Sequence, residues 1–213
     1  SNEITPMAPY LFFLGAGTYD TFTREFEYPN GKKFSLELLV PPGSSRSEAE
    51  SALEILADGI MWMYLFTGPE QYRDTDIRQK MYELAKERDR LKFSAGNPDK
   101  TAHVREVLAE LSKTIHPGYS YTGTVYREIG MQNSDFGGME NVGNTTITTN
   151  RIMPFSQITD PAYEYLTRVK VHEFYHNLNG SEVTGQSPFE IWLNEAVTVF
   201  IEDQYHAFKF GEE

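Results

Sequence analysis

VKVHEFYHNLNG, Val169 to Gly180, sets His172 and His176 four residues apart with Glu173 directly after the first. Upstream, Asp160 followed by Pro161 predicts an N-cap and first helical residue, and Asn179-Gly180 predicts a stop. Positions i and i+4 of a helix share one face, a turn apart, so both imidazoles point the same way, as two ligands of one small ion require. Glu173 is rotated about one residue further round and reaches an ion-bound water without ligating the ion. In a chain with five His and 22 Glu, this spacing arises by chance roughly once in a hundred such sequences, so more is needed.

The next predicted helix supplies more. Ser187-Pro188-Phe189-Glu190 reads as a capping box with proline well placed, and the helix runs to about Phe210. It carries Glu195, a third ligand of the kind zinc takes beside two histidines, and a required Glu at one spacing lowers the chance odds to about one in a thousand. Glu202, seven residues on, falls on the same face two turns later. It suits either a carboxylate orienting a ligating histidine or a solvated helix charge. The alternative for the whole pattern is two partly exposed histidines and an unrelated acid. His103, His116 and His206 lack comparable spacing and read as structural or surface residues.

Composition narrows the classes. With 19 basic and 31 acidic residues the net charge is −12, which disfavours nucleic acid or an anionic membrane as partner. There is no cysteine, so disulfides, thiolate metal sites and Cys nucleophiles are excluded and any metal must use His, Asp or Glu. The compartment is left open, with a cytoplasmic setting slightly favoured. The most apolar helical run, about 52–67, is broken by Glu54 and Asp58 and is short for a membrane span. The chain starts Ser-Asn rather than Met, and is expected to be a piece of a longer one.

Elsewhere the pattern is strands first, then helices. Residues 1–42 form a strand-rich opening segment: YLFFLGAG, TFTREFEY and KKFSLELLV read as strands. Ser45 and Ser47, each three residues before a Glu, are candidate caps of a helix bearing Leu53, Leu56, Ile60, Met63 and Tyr64. Residues 70–116 read as a charged helical hairpin. One arm carries Ile77, Met81, Leu84 and Leu91, the other Val104, Val107, Leu108, Leu111 and Ile115, with SAGNPD between. Residues 117–213 return to strand and loop, with YSYTGTVYREIG, the glycine-rich SDFGGMENVGN and TTITT, and end in the two terminal helices. This order predicts an α+β fold with a mixed sheet rather than alternating βαβ units.

HExxH followed by Glu195, with GGMEN (Gly137 to Asn141) upstream, resembles the zinc aminopeptidases of the aminopeptidase-N type, which include alanyl aminopeptidases and the leukotriene hydrolase. The opening TPMAPYLFFLGAGTYD resembles the segment leading into their catalytic domain, and HNLNGSEVT and LNEAVTVF look closest to the bacterial branch. The resemblance covers both ends of the chain well and 70–116 poorly, which marks that stretch as an insertion. It implies a single thermolysin-like catalytic domain over 1–213 that binds one Zn2+ through His172, His176 and Glu195. Glu173 would be the general base and Glu140 would bind the α-ammonium of peptides with a free N-terminus. The backbone of Gly137, Gly138 and Met139 would lie along the substrate.

This chain departs from the family's pattern, and one departure matters more than the others. The tyrosine that stabilises the tetrahedral intermediate has no counterpart among its thirteen tyrosines, and the family's N-terminal β and C-terminal helical domains are missing. The expectation is a fragment that binds zinc and turns over weakly by itself. Two other readings remain at this stage: a thermolysin-type endopeptidase, which gives GGMEN no purpose, and a non-catalytic interaction module on the same scaffold, which gives Glu173 none.

Overall fold

Alternation in the second predicted strand decides which face is buried. Phe34, Leu36, Leu38 and Val40 are all within 4% of full burial, whereas the residues between them are not buried. The computed structural model describes residues 7–93, 97–132 and 137–211. Ser94–Gly96 of SAGNPD, Ser134–Phe136 of the glycine-rich stretch and Thr5-Pro6 of the opening motif lie outside the described residues. Five strands are β1 (Asp20–Glu27), β2 (Lys33–Val40), β3 (Val125–Met131), β4 (Gly138–Met139) and β5 (Asn144–Thr148). Six helices are α1 (Arg46–Phe66), α2 (Thr75–Phe93), α3 (Pro98–Ser112), α4 (Thr149–Ile152), α5 (Asp160–Tyr175) and α6 (Ile191–Phe210). The fold is α+β with a mixed sheet of order β1-β2-β3-β5-β4. β2, β3 and β5 run parallel, and β4, at the edge of this order, runs antiparallel to β5.

The chain divides into two compact units. The first contains the residues up to Glu25, Phe34–Gly59 and those from Tyr121 onward. In it α5 is locked in place by three features. Phe174 lies in an aromatic cluster, with ring centroids 5.0 Å from Tyr126, 5.8 Å from Tyr121 and 6.5 Å from Phe34. Lys170 forms an ion pair with Glu128 of β3, and both side chains are fully buried. At Gly59 of α1 a Cβ would stand 2.6 Å from Val171 Cγ2, so only glycine allows this close approach. Asp58 holds α6, accepting from Tyr205 Oη and Lys209 Nζ, each at 2.7 Å.

The second unit contains Phe26–Lys33 and Ile60–Ser120. Met81, Val104, Leu108 and Ile115 are buried as the periodicity predicts, but Ile77, Leu84, Leu91, Val107 and Leu111 are only half-buried. The buried stripe of α2 is instead Arg78, Met81, Tyr82, Ala85 and Arg88. Both arginines, 1% exposed, are satisfied by carbonyls, and Arg88 also by the Asp89 carboxylate at 2.8 Å. Arg78 donates to the carbonyls of Leu65, Arg73, Glu70 and His116, and Arg88 to that of Glu27 at 2.7 Å. Arg105 grips the Glu27 carboxylate in a fork, at 2.8 and 2.9 Å.

Four local expectations are corrected. YLFFLGAG is no strand: Pro9–Leu11 is a 3-10 turn and the residues after it join no strand, because Pro9 fixes a turn and Leu11 alone is buried. Ser45 alone caps α1, accepting from Glu48 N, while Ser47 lies inside the helix. Thr159, not Asp160, is the N-cap of α5, whose first helical residues are Asp160 and Pro161. The helix ends at Tyr175, four residues before the expected stop, because the chain after it folds into a tight turn. Among the described residues no helix is long and apolar enough to cross a membrane.

Burial alone would push the Glu27 carboxyl up, but Arg105, Arg88 and Lys33 outweigh it and hold it below the ordinary range. Its stabilisation is therefore complete above the unfolded value of about 4.3 and is lost as pH falls through the lower folded value. Glu27→Gln should cost about 2 kcal/mol in urea unfolding at pH 7. The gap between the two proteins should narrow as the medium is acidified below about pH 4.

Candidate metal centre

His172 lies in the last turn of α5 and His176 is its C-cap, with its N–H on the His172 carbonyl at 3.3 Å. After His176 the chain reverses, and Ser181 N returns to the His176 carbonyl at 3.0 Å. Gly180 makes this possible with φ of 141°. A Cβ there would stand 3.2 Å from the same carbonyl oxygen and 3.4 Å from His176 Nδ1. The turn delivers the Asn179 carbonyl to His176 Nδ1 at 2.9 Å, and the Asn179 amide donates to the Asn194 carbonyl of α6 at 2.9 Å. Glu195 therefore starts from a backbone that is tied to the histidine turn.

Outer hydrogen bonds fix both imidazole tautomers. His172 Nδ1 is 2.6 Å from a Glu202 carboxylate oxygen, and His176 Nδ1 faces a carbonyl, which only accepts. Each Nδ1 therefore carries a proton, which leaves each Nε2 to hold either a second proton or an ion. Those two Nε2 atoms stand 3.0 Å apart. Glu195 Oε2 lies 3.3 Å from the first and Oε1 3.5 Å from the second. Three converging donors without a proton among them repel unless a cation sits between them. Two ligands about 2.1 Å from a tetrahedral ion are about 3.4 Å apart, close to these separations. The donor set fits a zinc-type ion.

The titration behaviour shows the same demand for positive charge. Burial would lower His172, yet Glu195 and Glu202 push it up to about 10. His176 is raised against its burial by Glu195 and the Asn179 carbonyl. The two imidazoles hold Glu195 well below the usual carboxylate range. Glu202 also accepts from Arg168 Nε at 3.1 Å, which fixes the carboxylate that fixes His172.

Glu173 behaves differently. It is 6% exposed, and burial raises it to about 7 against the pull of His172 and His176, with Glu140 and Glu195 adding to the rise. It lies flat against β4: a Cβ on Gly138 would stand 2.3 Å from Glu173 Oε1. Gly137 is pinned through its carbonyl to Thr148 N and Oγ1 at 3.2 and 3.1 Å. Asn141, which ends the GGMEN stretch, donates to the Leu11 carbonyl at 3.4 Å. The structure thus brings His172, His176, Glu195, Glu202 and Glu173 together, with Gly138 against them and Glu140 within electrostatic reach.

Sequence reading missed one neighbour. The Tyr10 phenol, half-exposed on the Pro9–Leu11 turn, is raised by burial and then by the charges of Glu140 and Glu195. No periodicity marks it, because it belongs to neither a helix nor a strand. His116 and His206 pair with Glu70 and Glu164, each at 2.9 Å, in keeping with structural roles.

A protein-family model described as the peptidase family M1 domain matches residues 101–210, about half of the chain. The chain belongs to peptidase family M1. Similar curated proteins are the aminopeptidases N of Caulobacter vibrioides (25% identical, covering 92% of this chain and 17% of that protein) and Haemophilus influenzae (24%, 96% and 18%). That of Escherichia coli is 23% identical, with 94% and 17% covered. Among solved structures, Legionella pneumophila aminopeptidase A in complex with aspartic acid shares the fold. Its TM-score is 0.62 at 18% identity, covering 92% of this chain and 17% of that one. This M1 chain therefore spans under a fifth of the length of these relatives. M1 aminopeptidases are generally zinc-dependent, and His172, His176 and Glu195 offer a donor set for such an ion.

Purified without chelator, the M1 chain should contain about one zinc per chain by elemental analysis. Glu202→Gln should weaken zinc affinity by roughly ten- to a hundredfold in a competition titration, since it frees the His172 ring.

Proposed function

We propose that this chain is the catalytic part of a zinc aminopeptidase with a thermolysin-like fold, working within a longer polypeptide, with 70–116 as a helical insertion. His172, His176 and Glu195 would hold the ion. When bound, it polarises the scissile carbonyl and acidifies a water. Glu173, buried against Gly138, would take a proton from that water and deliver it to the leaving amine. The chain's own strand positions the substrate: β4 is an edge strand, and an extended peptide adds to it by main-chain hydrogen bonds. Gly138 is where this must happen, since any side chain there would displace Glu173.

Glu140, two residues along from Gly138, binds the free α-ammonium and so restricts cleavage to the first peptide bond. The observation that carries this reading is the packing of Gly138 directly on Glu173 beside three converging ligand atoms. The sequence resemblance and the aminopeptidase names of the curated relatives support it. An endopeptidase would have no use for Glu140, which makes the free N-terminus the deciding variable.

The zinc-loaded protein should cleave a peptide with a free N-terminus and leave its N-acetylated twin intact, as read by chromatography of the products. Equal cleavage of both would replace this reading with an endopeptidase. Glu173→Gln should retain zinc and lose roughly a thousandfold in kcat. Wild-type turnover in that variant would remove Glu173 from the mechanism.

A further inference from the structure

Beyond Gly138, on the side away from Glu140, the edge strand meets a cation. A Cβ built on Gly137 would stand 3.1 Å from Arg151 Nη1 and 3.4 Å from Tyr165 Oη. Arg151 comes from α4, the single helical turn after β5, and Tyr165 from α5, two turns before His172. Arg151 Nη1 donates to the Tyr165 hydroxyl at 3.0 Å, and its guanidinium carbon lies 4.4 Å from the Tyr165 ring centroid. A planar guanidinium stacked on an aromatic ring is held in orientation at little entropic cost, with its remaining donors open. Among the described residues no carboxylate pairs with Arg151, although the chain has 31 acidic residues against 19 basic ones. Tyr165, 46% exposed, leaves this corner open to solvent.

The order along one strand gives the corner its meaning. If Glu140 holds the ammonium and Glu173 faces the scissile bond across Gly138, the substrate runs antiparallel to β4. The residue after the cleaved bond then lies one step of about 3.4 Å further, toward Gly137. We propose that Arg151, oriented by Tyr165, is a specificity residue that recognises a carboxylate on the residue immediately downstream of the cleaved bond. This inference rests on the aminopeptidase reading of the site. The carboxylate has two sources, an Asp or Glu side chain and the free C-terminus of a dipeptide. The missing side chain of Gly137 leaves room for either.

The test compares Ala-Glu-amide with Ala-Gln-amide for the side chain, and Ala-Ala with Ala-Ala-amide for the C-terminus, on the zinc-loaded protein. At least one acid should exceed its neutral partner about tenfold in kcat/KM, and the pair that does so identifies the source. That ratio should fall to near one in Arg151→Gln and below one in Arg151→Glu. The same ratio is read as dissociation constants by calorimetry on zinc-loaded Glu173→Gln, with and without Arg151→Gln, where turnover is blocked. Ratios near one in both pairs, or a preference unchanged in Arg151→Gln, would overturn the assignment. Discrimination in binding without any cleavage by the wild type would keep Arg151 and discard the aminopeptidase reading. Cleavage without discrimination does the reverse, and peptides that neither bind nor are cleaved would discard both.

Discussion

Two imidazole nitrogens held 3.0 Å apart and turned toward one carboxylate are the constraint around which this molecule is arranged. Neither ring is free to turn away or to exchange its tautomer. Glu202 accepts from one and the Asn179 carbonyl from the other. The cluster favours positive charge, as a proton or a metal ion, and Glu195 adds a carboxylate where that charge would sit. Groups that hydrogen-bond the far nitrogen of a ligating imidazole commonly govern how well a metal is held. Here they come from three different places: a helix two turns past the third ligand, an arginine on α5, and a turn fixed by a glycine.

Holding this arrangement depends on the placement of α5. Its buried face carries Phe174 in a ring of aromatics, Val171 against Gly59, and Lys170 paired with Glu128 below the sheet. A buried ion pair is a poor source of net stability, since desolvation of both charges offsets most of the attraction. Its geometric effect is more direct. An ammonium at position 170 has one partner on β3, so the helix cannot slide or rotate relative to the strand without leaving two buried charges apart. Glu173, one turn on, inherits that register and meets β4 at Gly138.

Much of the centre was legible in the sequence because helix geometry is periodic and ligand chemistry is restrictive. His172, Glu173 and His176 needed only the i, i+4 rule, and with no cysteine in the chain Glu195 was among the few types left to complete the set. What was hidden depended on tertiary partners. Lys170 sits where a period of 3.6 calls for an apolar residue, and only Glu128, 42 positions away, explains it. Arg78 and Arg88 occupy the buried stripe of α2 because backbone carbonyls, and for Arg88 the Asp89 carboxylate, satisfy them, so an apolar pattern found Met81 but also named Ile77, Leu84 and Leu91. Pro9 turned an apolar run that looked like a strand into a 3-10 turn. The end of α5 moved to Tyr175 because the returning Ser181 takes the His176 carbonyl, a bond no local propensity encodes.

The brevity of β4 has a consequence of its own. A sheet margin with open backbone donors and acceptors invites pairing with any extended chain, including another copy of the same protein. Two residues of strand give such an intruder almost no ladder to climb, and a long flat margin would have been a nucleus for association. A peptide held by Glu140 and Arg151 as proposed would need only that much backbone pairing to be aligned. The same shortness that guards against self-assembly therefore suits a transient guest.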